Sequence, residues 1–116
     1  MHVTITFRHM DASDAVRSHA KERLDKIQKY DPEPIGGHVV LSANKLHHYE
    51  VEVQITLHDG FHLKSIEADA DVYAAVDLAM GHIEAQVRKH KEKIRSHRRD
   101  GHEARVALLE GAVDER

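Results

Sequence analysis

Of the twelve residues at 88–99, seven are Lys or Arg and only Glu92 is acidic. Arg88, Lys89, Lys91, Lys93, Arg95, Arg98 and Arg99 have the chemistry to neutralise phosphates rather than to transfer protons or attack a carbonyl. The formal net charge of the 116-residue chain, −3, hides this segment. Residues 1–87 carry eight basic and fourteen acidic groups, residues 88–99 seven and one, and residues 100–116 two and five. Local potential, not the total, decides whether an anionic polymer is held. A second basic ridge lies upstream: Arg23, Lys26 and Lys29 fall at i, i+3 and i+6, so on a helix they share one flank. A basic helix end can also be only a solvated terminus that offsets the helix dipole. Two basic ridges in one chain that is acidic on average argue for binding.

Other chemistries find less footing. Twelve histidines raise metal binding, but His47-His48, His58 with His62, and His82 with His90 supply no H-E-x-x-H arrangement and no third ligand at a predictable place. His58 and His62 flank an expected turn and could approach across it. His90 falls in the buried sector of its helix and reads as a packed, hydrogen-bonded imidazole. Scattered imidazoles would add positive charge as the pH falls below their reference pKa of about 6.5. There is no Cys, which removes thiolate chemistry and disulfides. Gly36-Gly37 matches neither phosphate-cradling glycine motif, and Ser13, Ser18, Ser42, Ser65 and Ser96 lack a nucleophile context. Asp69 and Asp71 are explained as helix caps. No catalytic set, metal site or cofactor is expected. With 4% aromatic residues and no Trp, recognition should be led by backbone charge and shape rather than base stacking, and Tyr73 reads as a packing residue.

The elements that must position these cations follow from periodicity. Residues 2–8 alternate, with Val3, Ile5 and Phe7 on one face, which predicts a half-buried strand. Ser13 caps a helix expected to reach about residue 29, with Val16, Ala20, Leu24 and Ile27 as its buried stripe. The helix stops at Asp31-Pro32-Glu33-Pro34, and Gly36-Gly37 opens the next element. Residues 38–44 predict a central strand and 49–58 the clearest alternation in the chain. Asp59-Gly60 supplies a hairpin turn to a strand over 61–68. In that strand Phe61 and Leu63 imply one inward face and Ile66 and Ala68 the other, which a bulge near Ser65 would reconcile. Asp69 or Asp71 then caps a long helix over 71–99. Its Val72, Val76, Ala79, Met80, Ile83, Val87 and Ile94 fall within a sector roughly 100° wide.

The order is β-α-β-β-β-α, an α+β two-layer domain. A four-stranded mixed sheet, with its first strand parallel to the second and an antiparallel meander after it, carries both helices on one face. The other face, with Glu50, Glu52, Gln54 and Thr56, meets solvent. The expected organisation is one domain over 1–99 and a flexible tail over 100–116. Val106, Leu108 and Leu109 could form at most a short turn there. No apolar run is long enough for a membrane span and no targeting segment is evident, so a cytoplasmic protein is expected.

The run D-V-Y-A-A-V-D at 71–77, followed by Q-V-R-K-H-K-E-K at 86–93, resembles the ribosome hibernation-promoting factor and protein Y family of translation inhibitors. H-A-K-E-R-L-D-K-I-Q-K-Y at 19–30 and H-V-V-L-S at 38–42 match its first helix and second strand. Together these cover essentially residues 2–97. The resemblance implies a protein that binds the decoding channel of the small (30S) ribosomal subunit, excludes messenger and transfer RNA, and preserves idle ribosomes in stationary phase or stress. Its implied partners are that subunit, its 16S ribosomal RNA and the 70S ribosome, with a monomer off the ribosome. The family's RNA contacts come from basic residues on both helices, matched here by Arg23, Lys26, Lys29 and Lys89. The family commonly has basic residues where this chain has His82 and Ala85. Position on the helix adds Arg88, Lys91 and Lys93, so the expected RNA-binding set is Arg23, Lys26, Lys29, His82, Arg88, Lys89, Lys91 and Lys93. Long members carry a further dimerisation domain that 17 residues cannot supply, so the resemblance is to a short form. A general RNA-binding module acting off the ribosome is the nearer alternative, and a histidine-assisted metal-dependent hydrolase of nucleic acid the more distant one.

Overall fold

A computed structural model describes residues 1–30, 32–44, 46 and 48–99, with backbone only at 97–99. The expected tail over 100–116, and with it Asp31 and His47, lies outside the described residues. The elements are β1 (His2–Arg8), α1 (Asp14–Ile27), β2 (Pro34–Ala43), β3 (Tyr49–Leu57), β4 (His62–Asp69) and α2 (Val72–Arg99). The sheet order is β1-β2-β3-β4, with β1 parallel to β2 and the remaining pairs antiparallel. Both helices cover one face of this mixed sheet, as the alternation of the strands and the single stripe on each helix require.

Each helix starts where its capping chemistry lies. Ser13 is extended (φ −128°, ψ 120°) and its hydroxyl accepts from the Val16 N–H at 3.3 Å, with Asp14 in the positive first turn. At α2 both candidate aspartates are used. The Asp69 carboxylate accepts from the Asp71 N–H at 2.9 Å, and the Asp71 carboxylate from the Tyr73 N–H at 3.0 Å. α1 ends at Ile27, so Lys29 lies in the turn beyond it rather than in the helix.

The core joins Val16, Ala20, Leu24 and Ile27 of α1 to Ala75, Val76, Ala79, Met80, Ile83 and Val87 of α2 over the sheet. Cross-strand rows Val3–Gly37–Ile55–Leu63 and Ile5–Val39–Val53–Ser65 form the covered face. Gly37 leaves room there for Ile55, because a Cβ would stand 2.8 Å from Ile55 Cδ1 and the Ile55 side chain would have to shift. β2 begins earlier than expected, at Pro34, since β1 and β3 both supply ladder partners that carry Gly36 and Gly37 into the strand.

The expected bulge near Ser65 does not form. β3 and β4 pair without interruption from Tyr49 opposite Asp69 to Thr56 opposite His62. The tight turn fixes the register, and a slip of one residue would expose Leu63. Ser65 is therefore buried beneath the helices, while Ile66 lies on the open face with 48% of its surface exposed.

Candidate nucleic-acid interface

α1 and α2 run side by side in the same direction, stitched by polar contacts in matching order. His19 Nε2 lies 2.8 Å from Asp77 Oδ1, and Arg23 Nη1 donates to the same oxygen at 2.7 Å. Arg23 Nη2 reaches Glu84 Oε2 at 3.4 Å. Farther along, Arg88 Nη1 reaches the Tyr30 hydroxyl at 3.5 Å, and Tyr73 meets His19 edge-on with ring centres 5.3 Å apart. Burial alone would raise the Asp77 carboxyl. The hydrogen bonds and charges of His19 and Arg23 outweigh it and hold Asp77 below its ordinary value.

These contacts sort the expected cations into two groups. Arg23 has only 18% of its side chain exposed and two carboxylates in front of it. His82 sits on the opposite flank of α2, its Nδ1 2.6 Å from Glu67 Oε1 on β4. Lys26 and Lys29 are exposed at the end of α1, and Arg88 and Lys89 are exposed on α2, with Lys91 and Lys93 half-buried. Among the described residues, Lys26, Lys29, Arg88, Lys89, Lys91 and Arg95 make no ion pair with a carboxylate.

The two cationic groups are brought together at the end of α1. Tyr30, the neighbour of Lys29, touches Arg88, so the ridge of α1 abuts the point where the basic half of α2 begins. From Arg88 to Arg99 α2 continues for about 16 Å at 1.5 Å per residue. The result is a positive rod projecting from a body that is acidic on average, consistent with a longest dimension of 53 Å. Such a rod can meet phosphates on more than one side.

Several functional contacts escaped the sequence. His19 and Asp77 complete the seam between the helices; the spacing of His19 and Arg23 at i, i+4 against Asp77 and Glu84 was the available signal. Gln86 accepts from the Lys64 N–H at 3.4 Å and donates to the Lys64 carbonyl at 2.8 Å. Its side-chain amide thus occupies the outer edge of β4, where another strand could otherwise pair. His90 is a packed imidazole as its place in the buried sector required, bonded to Asp59 at 2.8 Å. Among the described residues the other histidines form no cluster that could hold a metal ion, and His62 bonds to Thr56 at 3.0 Å. Among the described residues no group of three or more His, Asp or Glu side chains is placed to hold a metal ion. Also among them, no helix is long and apolar enough to cross a membrane.

Known proteins share this sequence pattern and this fold. The chain is 29% identical over 94 residues to the ribosome hibernation promoting factor of Azotobacter vinelandii, covering 80% of this chain and 85% of that protein. It is 30% identical over 104 residues to the ribosome hibernation promotion factor of Staphylococcus aureus, covering 88% of this chain but only 54% of that longer relative. Among solved structures, a ribosomal subunit interface protein from Coxiella burnetii superposes with a TM-score of 0.72 at 29% identity, covering 79% of this chain and 99% of that one. The N-terminal domain of Thermus thermophilus Protein Y gives 0.70 at 30% identity, covering 78% and 99%. Residues 3–95 match the family model described as Sigma 54 modulation protein / S30EA ribosomal protein, and the chain belongs to that family.

Proposed function

We propose that this chain is a ribosome-associated translation inhibitor. It binds the decoding channel of the 30S subunit through 16S ribosomal RNA, keeps messenger and transfer RNA out, and preserves idle 30S subunits and 70S ribosomes in stationary phase or stress. Residues 1–99 form the binding domain, which acts in the cytoplasm as a monomer off the ribosome and has no catalytic step or cofactor. Family membership supports this reading, and so do the hibernation factors among its relatives. The observation that carries it furthest is the junction of Lys29, Tyr30 and Arg88. There, two basic segments far apart in sequence become one surface, in which Lys26, Lys29, Arg88, Lys89 and Lys91 have no carboxylate partner among the described residues.

Lys26, Lys29, Arg88, Lys89, Lys91 and Lys93 are the leading phosphate contacts in this reading. Arg23 and His82 reach phosphate only by exchanging a carboxylate partner, so their larger contribution is to hold α2 in place. Sedimentation through a sucrose gradient tests the function. The chain should travel with 30S and 70S particles and release them when Lys26, Lys29, Lys89 and Lys91 are changed to Glu. Absence of the unsubstituted chain from ribosomal fractions at physiological salt refutes the function. Normal cosedimentation of the substituted chain refutes the contact set.

A further inference from the structure

We propose that His90 is a positioning residue that aims the cationic end of α2, clasping it to the β3–β4 hairpin so that the charges beyond it meet phosphate as one rigid set. The inference rests on the RNA-binding reading above. His90 lies inside the basic segment between Lys89 and Lys91, yet only 11% of its side chain is exposed. Its Nε2 lies 2.8 Å from Asp59 Oδ2. Its ring stacks on Phe61 with centroids 3.8 Å apart and planes 16° from parallel. Nδ1 is buried with no partner, so the ring is held through Nε2, whose N–H donates to the Asp59 carboxylate.

The structure that His90 grips is itself closed. The Asp59 carboxylate also accepts from the Phe61 N–H at 3.1 Å. The Gly60 N–H donates to the Leu57 carbonyl and the Leu57 N–H to the Phe61 carbonyl, both at 2.9 Å. Gly60 takes a positive φ of 88°, which suits the turn to glycine. A stacked ring resists sideways roll of the helix, and the bond to Asp59 resists its lifting from the sheet.

The latch sits where orientation matters most. Val87 is the last fully buried residue of α2 among those whose burial is described, and His90 follows less than one turn later. The helix then runs about 14 Å farther, so a swing of about 15° at His90 moves its end by about 3.5 Å. That displacement exceeds the tolerance of a charge-assisted hydrogen bond. A Lys at this position would add a cation and remove both restraints, which accounts for an imidazole in a run otherwise rich in Lys and Arg.

The test combines binding with a geometric readout. The chain has no cysteine, so spin labels can be placed by Thr4→Cys on β1 and Ser96→Cys on α2 and the distance between them measured directly. His90→Ala should broaden that distance distribution and weaken small-subunit binding about tenfold, with a salt slope shallower by the equivalent of about one or two phosphates. His90→Gln, which keeps an N–H for Asp59, should recover part of both. Asp59→Asn, in an exposed turn, repeats the test from the other side with less risk to folding. All binding is measured well below each variant's thermal midpoint. An unchanged distance distribution overturns the inference, and so does a broadened one with wild-type affinity. If the unsubstituted chain fails to bind small subunits, the ribosome reading falls and this inference with it. Unchanged binding by the variants when the parent binds overturns the inference alone.

Discussion

The guanidinium of Arg23 and the carboxylate of Asp77 meet at 2.7 Å across the seam between α1 and α2. Because Arg23 is largely covered and its Nε is buried without a partner, this contact fixes the helix pair more than it advertises a charge. Asp77→Ala removes the shared acceptor of His19 and Arg23 and leaves only the longer contact to Glu84. The expected loss is about 1 to 2 kcal/mol, because a covered cation is left poorly satisfied. A lower urea midpoint at unchanged slope would show it, and a midpoint within error of the parent would contradict it.

Acid should expose the same dependence. Burial alone would raise the Asp59 and Asp77 carboxyls. Hydrogen bonds and charge from His90, and from His19 and Arg23, hold both below the ordinary 3.8 in the fold. The unfolded chain then takes up these protons first, so their stabilisation is complete above the unfolded value and drains away as the pH falls through it toward the folded values. The thermal midpoint should drop as the pH goes from about 5 to 3, and a chain carrying Asp59→Asn with Asp77→Asn should drop less. Parallel profiles for the two proteins would exclude these groups as the source.

How much of this was legible in the sequence depended on whether one residue's pattern sufficed. β1, β3 and the buried stripe of α2 follow from period alone, and Ser13, Asp69 and Asp71 mark helix starts by local chemistry. The phase of β4 was not legible, since Phe61 and Leu63 imply one inward face and Ile66 and Ala68 the other, and only the ladder with β3 decides between them. The partner of Arg23 was not legible either. Helical spacing says which side a residue takes, and not that Asp77, 54 positions away, stands opposite. For His90 the buried sector predicted packing, while its acceptor lies 31 residues upstream in the hairpin turn.

The unbulged register of β4 makes a prediction at neighbouring residues. Ser65 is 6% exposed and its hydroxyl has no partner, so Ser65→Ala should stabilise the chain by about 1 kcal/mol, or about 4 to 8 °C in thermal midpoint. Ile66→Thr, on the open face, should change stability by no more than about 0.5 kcal/mol. Leu63→Ala should cost about 2 to 5 kcal/mol. A calorimetric series in which Ile66→Thr is the costly change would mean that β4 presents its other face to the helices.

Salt dependence separates the phosphate contacts from the residues that hold the helices together. If about five phosphates are engaged, log affinity for small subunits should fall against log salt with a slope near −3.5, taking about −0.7 for each. Replacing any one of Lys26, Lys29, Lys89 or Lys91 by Ala should make that slope shallower by about 0.7 while leaving stability within about 0.5 kcal/mol, because among the described residues these side chains have no carboxylate partner to lose. Arg23→Ala should act in the opposite sense, with a clear loss of stability and little change in slope, because its charge is already met by Asp77 and Glu84. Filter binding over a salt series, paired with thermal melts of the same proteins, decides between them. A slope for Arg23→Ala that falls as far as that for Lys89→Ala would return Arg23 to the phosphate-contacting set.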